Sequence, residues 1–182
     1  MEIFLVRHGE AASSWGESPD PGLSELGLRQ AVDVATQLRQ LLVEPVQMIS
    51  SPLQRAKETA APLSRLLRQG VREDEAFREI PSPVPLAQRQ AWLRQFMQQQ
   101  WSEQGADLQA WRGKALGQLM ELRQSAVIFT HFLVINAVVG HVLDRPQTLC
   151  CWPDNGSVTR LRLTGSSLEL VALGSEMETP IN

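Results

Sequence analysis

Short, mostly apolar runs mark the places where the sequence predicts strands. Runs at residues 3–6, 46–50 and 126–130 are typical of buried strands in a parallel sheet that is covered on both faces. A further run at 158–163 alternates apolar and polar residues, as a strand with one solvated face does. A turn at 165–166 leads from it into another apolar run, so an antiparallel hairpin is expected to follow the parallel sheet.

Between these runs, apolar residues recur at the spacing of amphipathic helices. Ser24 is the predicted N-cap of a helix over about 25–42, whose apolar residues fall on one face. The apolar stretch at 132–143 contains several small residues and predicts a core helix. Residues 71–77 favour a further short strand.

A second amphipathic helix is expected to begin at a strong local signal. Ser51 can cap it, Pro52 fits the first helical position, and Gln54 completes a capping box. This helix should run to about Gln69 and be closed by Gly70.

The alternation of strands and helices predicts an α/β fold, namely a three-layer α/β/α sandwich with a mostly parallel central sheet. Neither repeats nor a linker divide residues 1–182, so one domain is expected. An excursion at about 80–123 is helical in pattern after a proline-rich start at 80–85, and it is expected to form a small helical cap over the site. Three tryptophans are candidates for the rim of this cap or, alternatively, for its apolar core: Trp15, Trp92 and Trp101.

Composition and charge exclude several classes of protein. The chain has 182 residues and a formal net charge of −3, without the basic patch of a nucleic-acid-binding protein. No apolar run is long enough for a membrane helix, and Arg7 and His8 interrupt the first run, so a signal peptide is not predicted either. The two cysteines, Cys150 and Cys151, are adjacent, which suits neither a disulfide scaffold nor a zinc site. A cytoplasmic location is therefore expected, and the oligomeric state is left open.

Charged and ionisable residues stand at the ends of the predicted strands. Arg7 and His8 follow the first strand, Arg55 lies in the first turn of the helix after the second, and His131 follows the strand at 126–130. In an open α/β sheet, ligands bind beyond the carboxyl ends of the strands. Each of these residues alone is ordinary, but if the strands are neighbours, all four converge on one point.

Such a cluster suits a phosphate dianion. Arginine forks match phosphate oxygens, and the N-termini of the helices after Ser51 and Thr130 add backbone N–H donors. A neutral imidazole beside the phosphate can attack phosphorus and form a phosphohistidine. Because arginines neutralise the phosphate oxygens, neither a metal nor another cofactor is expected. His141, ten residues after His131, is expected to point away from this cluster.

Several blocks of the chain, in the same order, resemble the histidine phosphatase superfamily, whose fold is phosphoglycerate-mutase-like. The blocks are RHGE at 7–10, LSELGLRQA at 23–31, SSPLQRAKETA at 50–60, FREI at 77–80, TH at 130–131 and NGSVT at 155–159. The resemblance implies His8 as the nucleophile and Arg7, Arg55 and His131 as the phosphate pocket, with His131 also in the catalytic set. It implies Glu79 as the proton donor to the leaving group and the later proton acceptor from water.

Three places depart from the pattern of this superfamily, and the first is Ala11 and Ala12, where a threonine often follows Glu10. Phe132 stands where a glycine is usual after the second histidine, and its ring is expected to narrow the approach to the site. The proline-rich segment 80–85 replaces the usual continuation after Glu79, which leaves open that Glu79 merely pairs with Arg72 or Arg78 on the surface. The alternative proton donors are then Glu73, Asp74 and Glu75.

The sequence therefore predicts a metal-independent phosphomonoester hydrolase that acts on a small phosphorylated metabolite. Two alternatives remain at this point. A phosphatase of protein phosphohistidine would need an open site without a cap. A regulatory module would bind phosphate with little turnover, and its support is Phe132 together with the unusual segment after Glu79.

Overall fold

The computed structural model describes residues 1–13, 18–43 and 45–177. The six strands in this part of the chain are β1 (Glu2–Arg7), β2 (Gln47–Ser50), β3 (Arg72–Glu73), β4 (Ala126–Thr130), β5 (Val158–Thr164) and β6 (Ser167–Ala172). Its five α-helices are α1 (Glu25–Leu41), α2 (Gln54–Leu67), α3 (Arg89–Phe96), α4 (Ala106–Met120) and α5 (Phe132–Val142). None of these helices is both long enough and apolar enough to cross a membrane.

All six strands form one sheet in the order β3-β2-β4-β1-β5-β6. The first four in that order run parallel to one another, while β5 is antiparallel to β1 and β6 is antiparallel to β5. The predicted parallel sheet and closing hairpin are therefore confirmed. Because β1 and β4 are adjacent and parallel, with Arg7 opposite Thr130, their carboxyl ends lie side by side.

Each face of the sheet has its own apolar core. Side chains of β1 alternate between the faces, so that Phe4 and Val6 pack with α1 and α2 while Ile3 and Leu5 pack with α4 and α5. The result is the predicted three-layer α/β/α sandwich. Helix α5 is buried over nearly its whole length, as its apolar composition predicts.

The prediction for the start and end of α2 was wrong. The helix begins at Gln54 with Leu53 as its N-cap, because the Ser51 hydroxyl accepts a hydrogen bond from Leu53 N at 3.2 Å and remains outside the helix. Its end is formed by Arg68, which adopts the left-handed conformation with φ of 52°, whereas Gly70 lies beyond it. The Ser24 cap of α1 is present as predicted, with its hydroxyl accepting from Gly27 N.

The segment between β3 and β4 is only in part a cap. Its first half holds a 3₁₀ turn at Leu86–Gln88 and the short helix α3. Its second half, α4, belongs to one of the two helical layers of the sandwich. The side chains of Trp111, Ala115 and Leu119 are buried in the same core as those of α5. The predicted cap at 80–123 therefore ends well before α4. The expected strand at 71–77 is reduced to the two residues of β3.

The tryptophans of this segment belong to the core and not to a rim. Trp101 is 4% exposed and stacks on Trp111 with ring centroids 6.4 Å apart, while Trp92 packs on Phe96 at 5.5 Å. The remaining candidate, Trp15, lies outside the described residues.

Candidate active site

The ends of β1 and β4 bring the two predicted histidines together. His8 N donates to Thr130 O at 3.0 Å, which continues the ladder between the two strands by one residue. The imidazole rings of His8 and His131 then face each other with centroids 5.1 Å apart and planes inclined at 59°. Both side chains are buried.

The hydrogen bonds of His8 define its tautomer. Nδ1 lies 2.7 Å from Gly9 O, which can only accept, so Nδ1 carries the proton. Nε2 lies 3.1 Å from Arg55 Nε, which can only donate, so Nε2 holds a lone pair. The nitrogen available for attack is therefore Nε2.

Glycines in two of the sequence blocks make this turn possible. A Cβ on Gly9 would lie 2.5 Å from Gly27 O, and a Cβ on Gly27 would lie 2.1 Å from Glu10 O. The backbone after β1 thus packs directly on the first turn of α1. Glu10 strengthens the contact, since its carboxylate accepts from the Ser24 hydroxyl at 2.7 Å.

Arg7 is held from two sides. Its Nη1 donates to Pro153 O at 2.7 Å, and its guanidinium lies 5.1 Å from the centroid of the Phe132 ring. Phe132 also packs on Trp152, with centroids 5.6 Å apart. The ring of Phe132 thus supports Arg7, while its expected effect on the approach to the site stays a prediction. Phe132 also has no positive φ that would call for glycine.

Arg55 and His131 depend on residues that sequence reasoning did not single out for this purpose. Thr59, one turn after Arg55, donates its hydroxyl to Arg55 O at 2.7 Å and accepts from Gly9 N at 3.0 Å, which ties α2 to the turn after β1. The hydroxyl of Ser51 lies 2.7 Å from His131 Nε2. This hydroxyl also accepts from Leu53 N, and it can donate its own proton to Nε2 when the ring proton of His131 is on Nδ1. That Nδ1 has no hydrogen-bond partner among the described residues.

Both histidines are electrically neutral in this environment. Burial lowers the pKa of His8 well below its usual range, and the charges of Arg55 and Arg7 lower it further. Burial likewise lowers the pKa of His131, with His8, Arg55 and Arg7 adding to the effect. Burial also lowers the pKa of the Arg7 guanidinium to about 10. The two arginines therefore carry the positive charge, and His131 is not a cation before an anion binds.

Glu79 lies in the cavity beside Arg55 and not on the surface. Its Oε1 accepts from Ile80 N at 2.9 Å and its Oε2 from Leu133 N at 3.5 Å. Burial raises the pKa of this carboxyl group, which favours the protonated acid. The alternative of a surface ion pair is wrong, because Arg72 pairs with Asp74 and Arg78 with Glu75.

The backbone before Glu79 is held by two elements, β4 and α4, so the proline-rich segment does not displace it. Thr130 donates its hydroxyl to Phe77 O at 2.8 Å, and Trp111 Nε1 donates to Arg78 O at 2.9 Å. None of the three alternative proton donors lines the cavity; they are Glu73, Asp74 and Glu75.

A cavity of about 350 Å³ opens beside these groups. Buried Arg55 and Glu79 line it, together with the more exposed Arg78 and Arg89. The remaining lining residues are mostly apolar or small: Ala11, Ser13, Ser18, Pro19, Pro21, Leu53, Ile80, Pro81, Leu86, Leu93 and Leu133. Across the described ranges, no group of three or more His, Cys, Asp or Glu side chains could hold a metal ion.

Comparison with known protein families decides the identity of this arrangement. The family model of the histidine phosphatase superfamily (branch 1) matches residues 3–176. The chain belongs to the histidine phosphatase superfamily.

Several of the proteins that this chain is similar to are named as phosphatases. A metal-independent phosphoserine phosphatase of Arabidopsis thaliana is 43% identical over 68 residues, which are 35% of this chain and 28% of that protein. The matches to curated relatives span only about a third of their length or less. The structure of Entamoeba histolytica phosphoserine phosphatase with 3-phosphoglyceric acid has a TM-score of 0.74 at 21% identity and covers 96% of both chains.

A mycobacterial glucosyl-3-phosphoglycerate phosphatase in complex with VO3 also shares the fold. Its TM-score is 0.74 at 24% identity, covering 96% of this chain and 99% of that one. The phosphoglycerate-mutase-like fold that the sequence blocks imply is thereby confirmed.

Within this superfamily fold, the structure brings together all five residues that the sequence singled out: Arg7, His8, Arg55, Glu79 and His131. The sequence analysis did not predict that Arg78 and Arg89 line the same cavity, although Arg89 lies in the excursion at about 80–123. The one sequence feature that could have indicated a role for Arg78 is its position next to Glu79. His141, in the last turn of α5, lies away from the site as predicted.

Proposed function

We propose that this chain is a phosphomonoester hydrolase that acts on a small phosphorylated metabolite through a phosphohistidine on His8. The observation that carries the proposal is the lone pair of His8 Nε2, which lies 3.1 Å from Arg55 Nε. Arg7 is the last residue of β1, and His131 follows the adjacent strand β4. A nucleophile surrounded by fixed cations and by N–H donors suits attack on a phosphate group.

The phosphate would be bound by the groups that have donors to spare. Arg7 Nε and His131 Nδ1 are buried nitrogens without hydrogen-bond partners among the described residues, and phosphate oxygens would supply acceptors for both. Arg55 would replace its hydrogen bond to His8 by hydrogen bonds to the phosphate, since its guanidinium group matches two phosphate oxygens. A dianion beside His131 would also raise the pKa of that imidazole, so His131 can take up a proton on binding.

In the first step, Nε2 of His8 forms a bond to phosphorus as the bond from phosphorus to the ester oxygen breaks. Glu79 would donate its proton to that oxygen, so the product leaves as a neutral alcohol. The raised pKa of Glu79 keeps this proton available at less acidic pH. Gly9 O would hold the Nδ1 proton of His8 throughout, at 2.7 Å.

In the second step, water attacks the phosphohistidine. Glu79, now a carboxylate, would accept a proton from this water as the bond between nitrogen and phosphorus breaks. Inorganic phosphate leaves, His8 regains its lone pair and Glu79 is again protonated. No metal or other cofactor enters either step, because Arg7 and Arg55 supply the positive charge.

The size of the cavity supports a small substrate. At about 350 Å³ it is at the lower end of small-molecule sites, and the segment from Ile80 to Leu93 covers one side of it. A phosphatase of protein phosphohistidine would need a more open approach. The phosphoserine, phosphoglyceric acid and glucosyl-3-phosphoglycerate in the names of the related phosphatases are likewise small phosphorylated metabolites.

A regulatory module with little turnover has less support than an enzyme. Its two grounds were Phe132 and the segment after Glu79, yet Phe132 packs against Arg7 and Glu79 lines the cavity. A site that offers both the proposed nucleophile and the proposed acid is suited to turnover.

The proposal is tested by measuring phosphate release from p-nitrophenyl phosphate and from a panel of phosphorylated metabolites. With radiolabelled phosphate in the substrate, rapid quenching should trap an acid-labile, base-stable phosphoenzyme in the native protein but not in His8→Ala. Substantial turnover by His8→Ala would refute the covalent mechanism. A single stoichiometric burst without further turnover would favour the regulatory module.

A further inference from the structure

The cavity holds more positive charge than one phosphate group needs. Buried Arg55 lines the cavity together with the more exposed Arg78 and Arg89. Arg7 does not line it, but its charge interacts with those of Arg55 and Glu79. The only acidic residue in its described lining is Glu79, whose raised pKa favours the neutral form. This positive charge is concentrated on a chain whose overall net charge is −3.

The two outer guanidinium groups are weakly engaged. Arg78 lies 3.4 Å from Glu75 in an ion pair whose side chains are 50% and 72% exposed, and such surface pairs contribute little. Arg89 Nη2 donates to Ile80 O at 3.1 Å, and this is its one polar contact with the described residues. Both side chains therefore keep donors for a ligand.

Arg78 and Arg89 are also close enough to the reacting groups to share a small ligand with them. The charges of both arginines lower the pKa of Arg55. The charge of Arg89 also acts on Glu79, and that of Arg78 acts on His131. Since the walls between the two ends are mostly apolar, a short carbon skeleton suits the space between them.

We infer that the substrate is a small phosphomonoester that carries a second anionic group, which Arg78 and Arg89 bind at the outer end of the cavity. This inference rests on the proposed phosphatase function and narrows its substrate class. A carboxylate and a second phosphate present the same oxygen geometry to arginine, so both are substrates of this class.

A matched series of esters tests the inference. The probes are 3-(phosphonooxy)propanoate, its amide, which lacks the carboxylate charge but keeps the phosphate, and the bisphosphate of propane-1,3-diol. The kcat/KM is measured for each. We expect the native protein to prefer an anionic ester over the amide by roughly 10- to 100-fold, as for one or two charge-assisted hydrogen bonds. The better of the two anionic esters identifies the group that the outer arginines bind.

Variants assign the preference to the arginines. Arg78→Gln and Arg89→Gln should each lower the ratio of kcat/KM for the anionic ester to kcat/KM for the amide. Arg94→Gln is the matched control, because Arg94 is exposed on the same helix as Arg89 and does not line the cavity. If Arg94→Gln lowered this ratio equally, the preference would reflect the general electrostatic field, and the inference would be overturned.

Failure of the inference and failure of the proposed function give different results. If the native protein hydrolyses acid, bisphosphate and amide equally well, the outer anion site is refuted while the phosphatase function stands. If no ester is hydrolysed and no phosphoenzyme forms, the phosphatase function is refuted. Calorimetric binding of the same three esters then still tests the outer site, and equal affinities would refute it.

Discussion

Arg55 Nε donates a hydrogen bond to His8 Nε2 at 3.1 Å, so the proposed nucleophile has its lone pair engaged by the arginine beside it. Arg55 also lines the cavity, whereas the ring of His8 lies behind it. A phosphate that draws Arg55 onto its own oxygens would therefore free His8 at the moment of binding. Asp20, 3.9 Å from Arg55 Nη1, offers the guanidinium a partner on the outer side.

Removing this guanidinium should affect activity far more than removing other arginines. We expect Arg55→Ala to lower kcat/KM by about 10²–10³-fold, because a preorganised contact to the developing charge is lost. Arg55→Lys should recover only part of the activity, since an ammonium group cannot bind two oxygens as a fork. Arg94→Ala is the control, and an equal effect of Arg55→Ala and Arg94→Ala would show that the phosphate site lies elsewhere.

Glu79→Gln should discriminate between substrates by their leaving groups. An alkyl phosphate needs a proton as its bond breaks, so its hydrolysis should slow by about 10²–10⁴-fold. The anion of p-nitrophenol leaves without help, and its release from the same variant should slow only mildly. Stopped-flow measurement should then show phosphohistidine hydrolysis as the slow step. Equal slowing of both substrates would contradict the assignment of Glu79 as the acid.

The pH dependence of the reaction follows from two shifts of opposite sign. Because the pKa of His8 is lowered, this nucleophile should stay unprotonated, and activity should persist, well below pH 6.5. Because the pKa of Glu79 is raised, the acid is lost only as pH rises through that raised value, and kcat/KM should fall there. Dividing the native profile by that of Glu79→Gln on one alkyl phosphate removes the titration of the substrate. A ratio that is flat with pH would exclude Glu79 as the titrating group.

The sequence was sufficient to predict a mostly parallel sheet with a closing hairpin. It also predicted that Arg7, His8, Arg55 and His131 converge, on the condition that their strands are neighbours. Apolar runs reveal buried strands, and ionisable residues at the ends of neighbouring parallel strands must meet at one edge. Helix boundaries were less accurate where a side chain had a stronger partner elsewhere. Ser51 is such a case, because its hydroxyl lies 2.7 Å from Nε2 of His131, about 80 residues away in the chain, and α2 begins three residues later, at Gln54.

The consequences of Phe132 and of the segment after Glu79 could not be predicted from local pattern. Phe132 lies beneath Arg7 because the chain around Trp152 closes against it, and this contact joins distant segments. Glu79 keeps its place because Thr130 and Trp111 hold the backbone just before it. Such contacts depend on the packing of the whole sandwich, which local sequence does not encode.

Asn136 should be a stability residue with an indirect effect on Arg7. Its buried Oδ1 accepts from Cys150 N at 2.8 Å and Cys151 N at 3.0 Å, just before Pro153, whose carbonyl binds Arg7. Asn136→Ala would leave both N–H groups unpaired, which should cost about 2–4 kcal/mol of unfolding free energy and lower the Tm by roughly 5–10 °C. Gln37→Ala, at an exposed position of α1, is the control and should leave the Tm nearly unchanged. An unchanged Tm for Asn136→Ala would show that these hydrogen bonds are dispensable.

Vanadate tests the charge arrangement of the site. Vanadate accepts a fifth ligand, so it should bond to His8 Nε2 and inhibit competitively, with Arg7 and Arg55 around its oxygens. At 100 times its Kd it should stabilise the native protein by about 2.7 kcal/mol, which a thermal shift would detect. His8→Ala should lose most of this shift but keep a weaker one with inorganic phosphate, because the arginines remain.

EDTA should leave turnover unchanged, since cationic side chains and not carboxylates surround the nucleophile. Loss of turnover in EDTA that Mg²⁺ restores would show that these arginines do not suffice for the reaction.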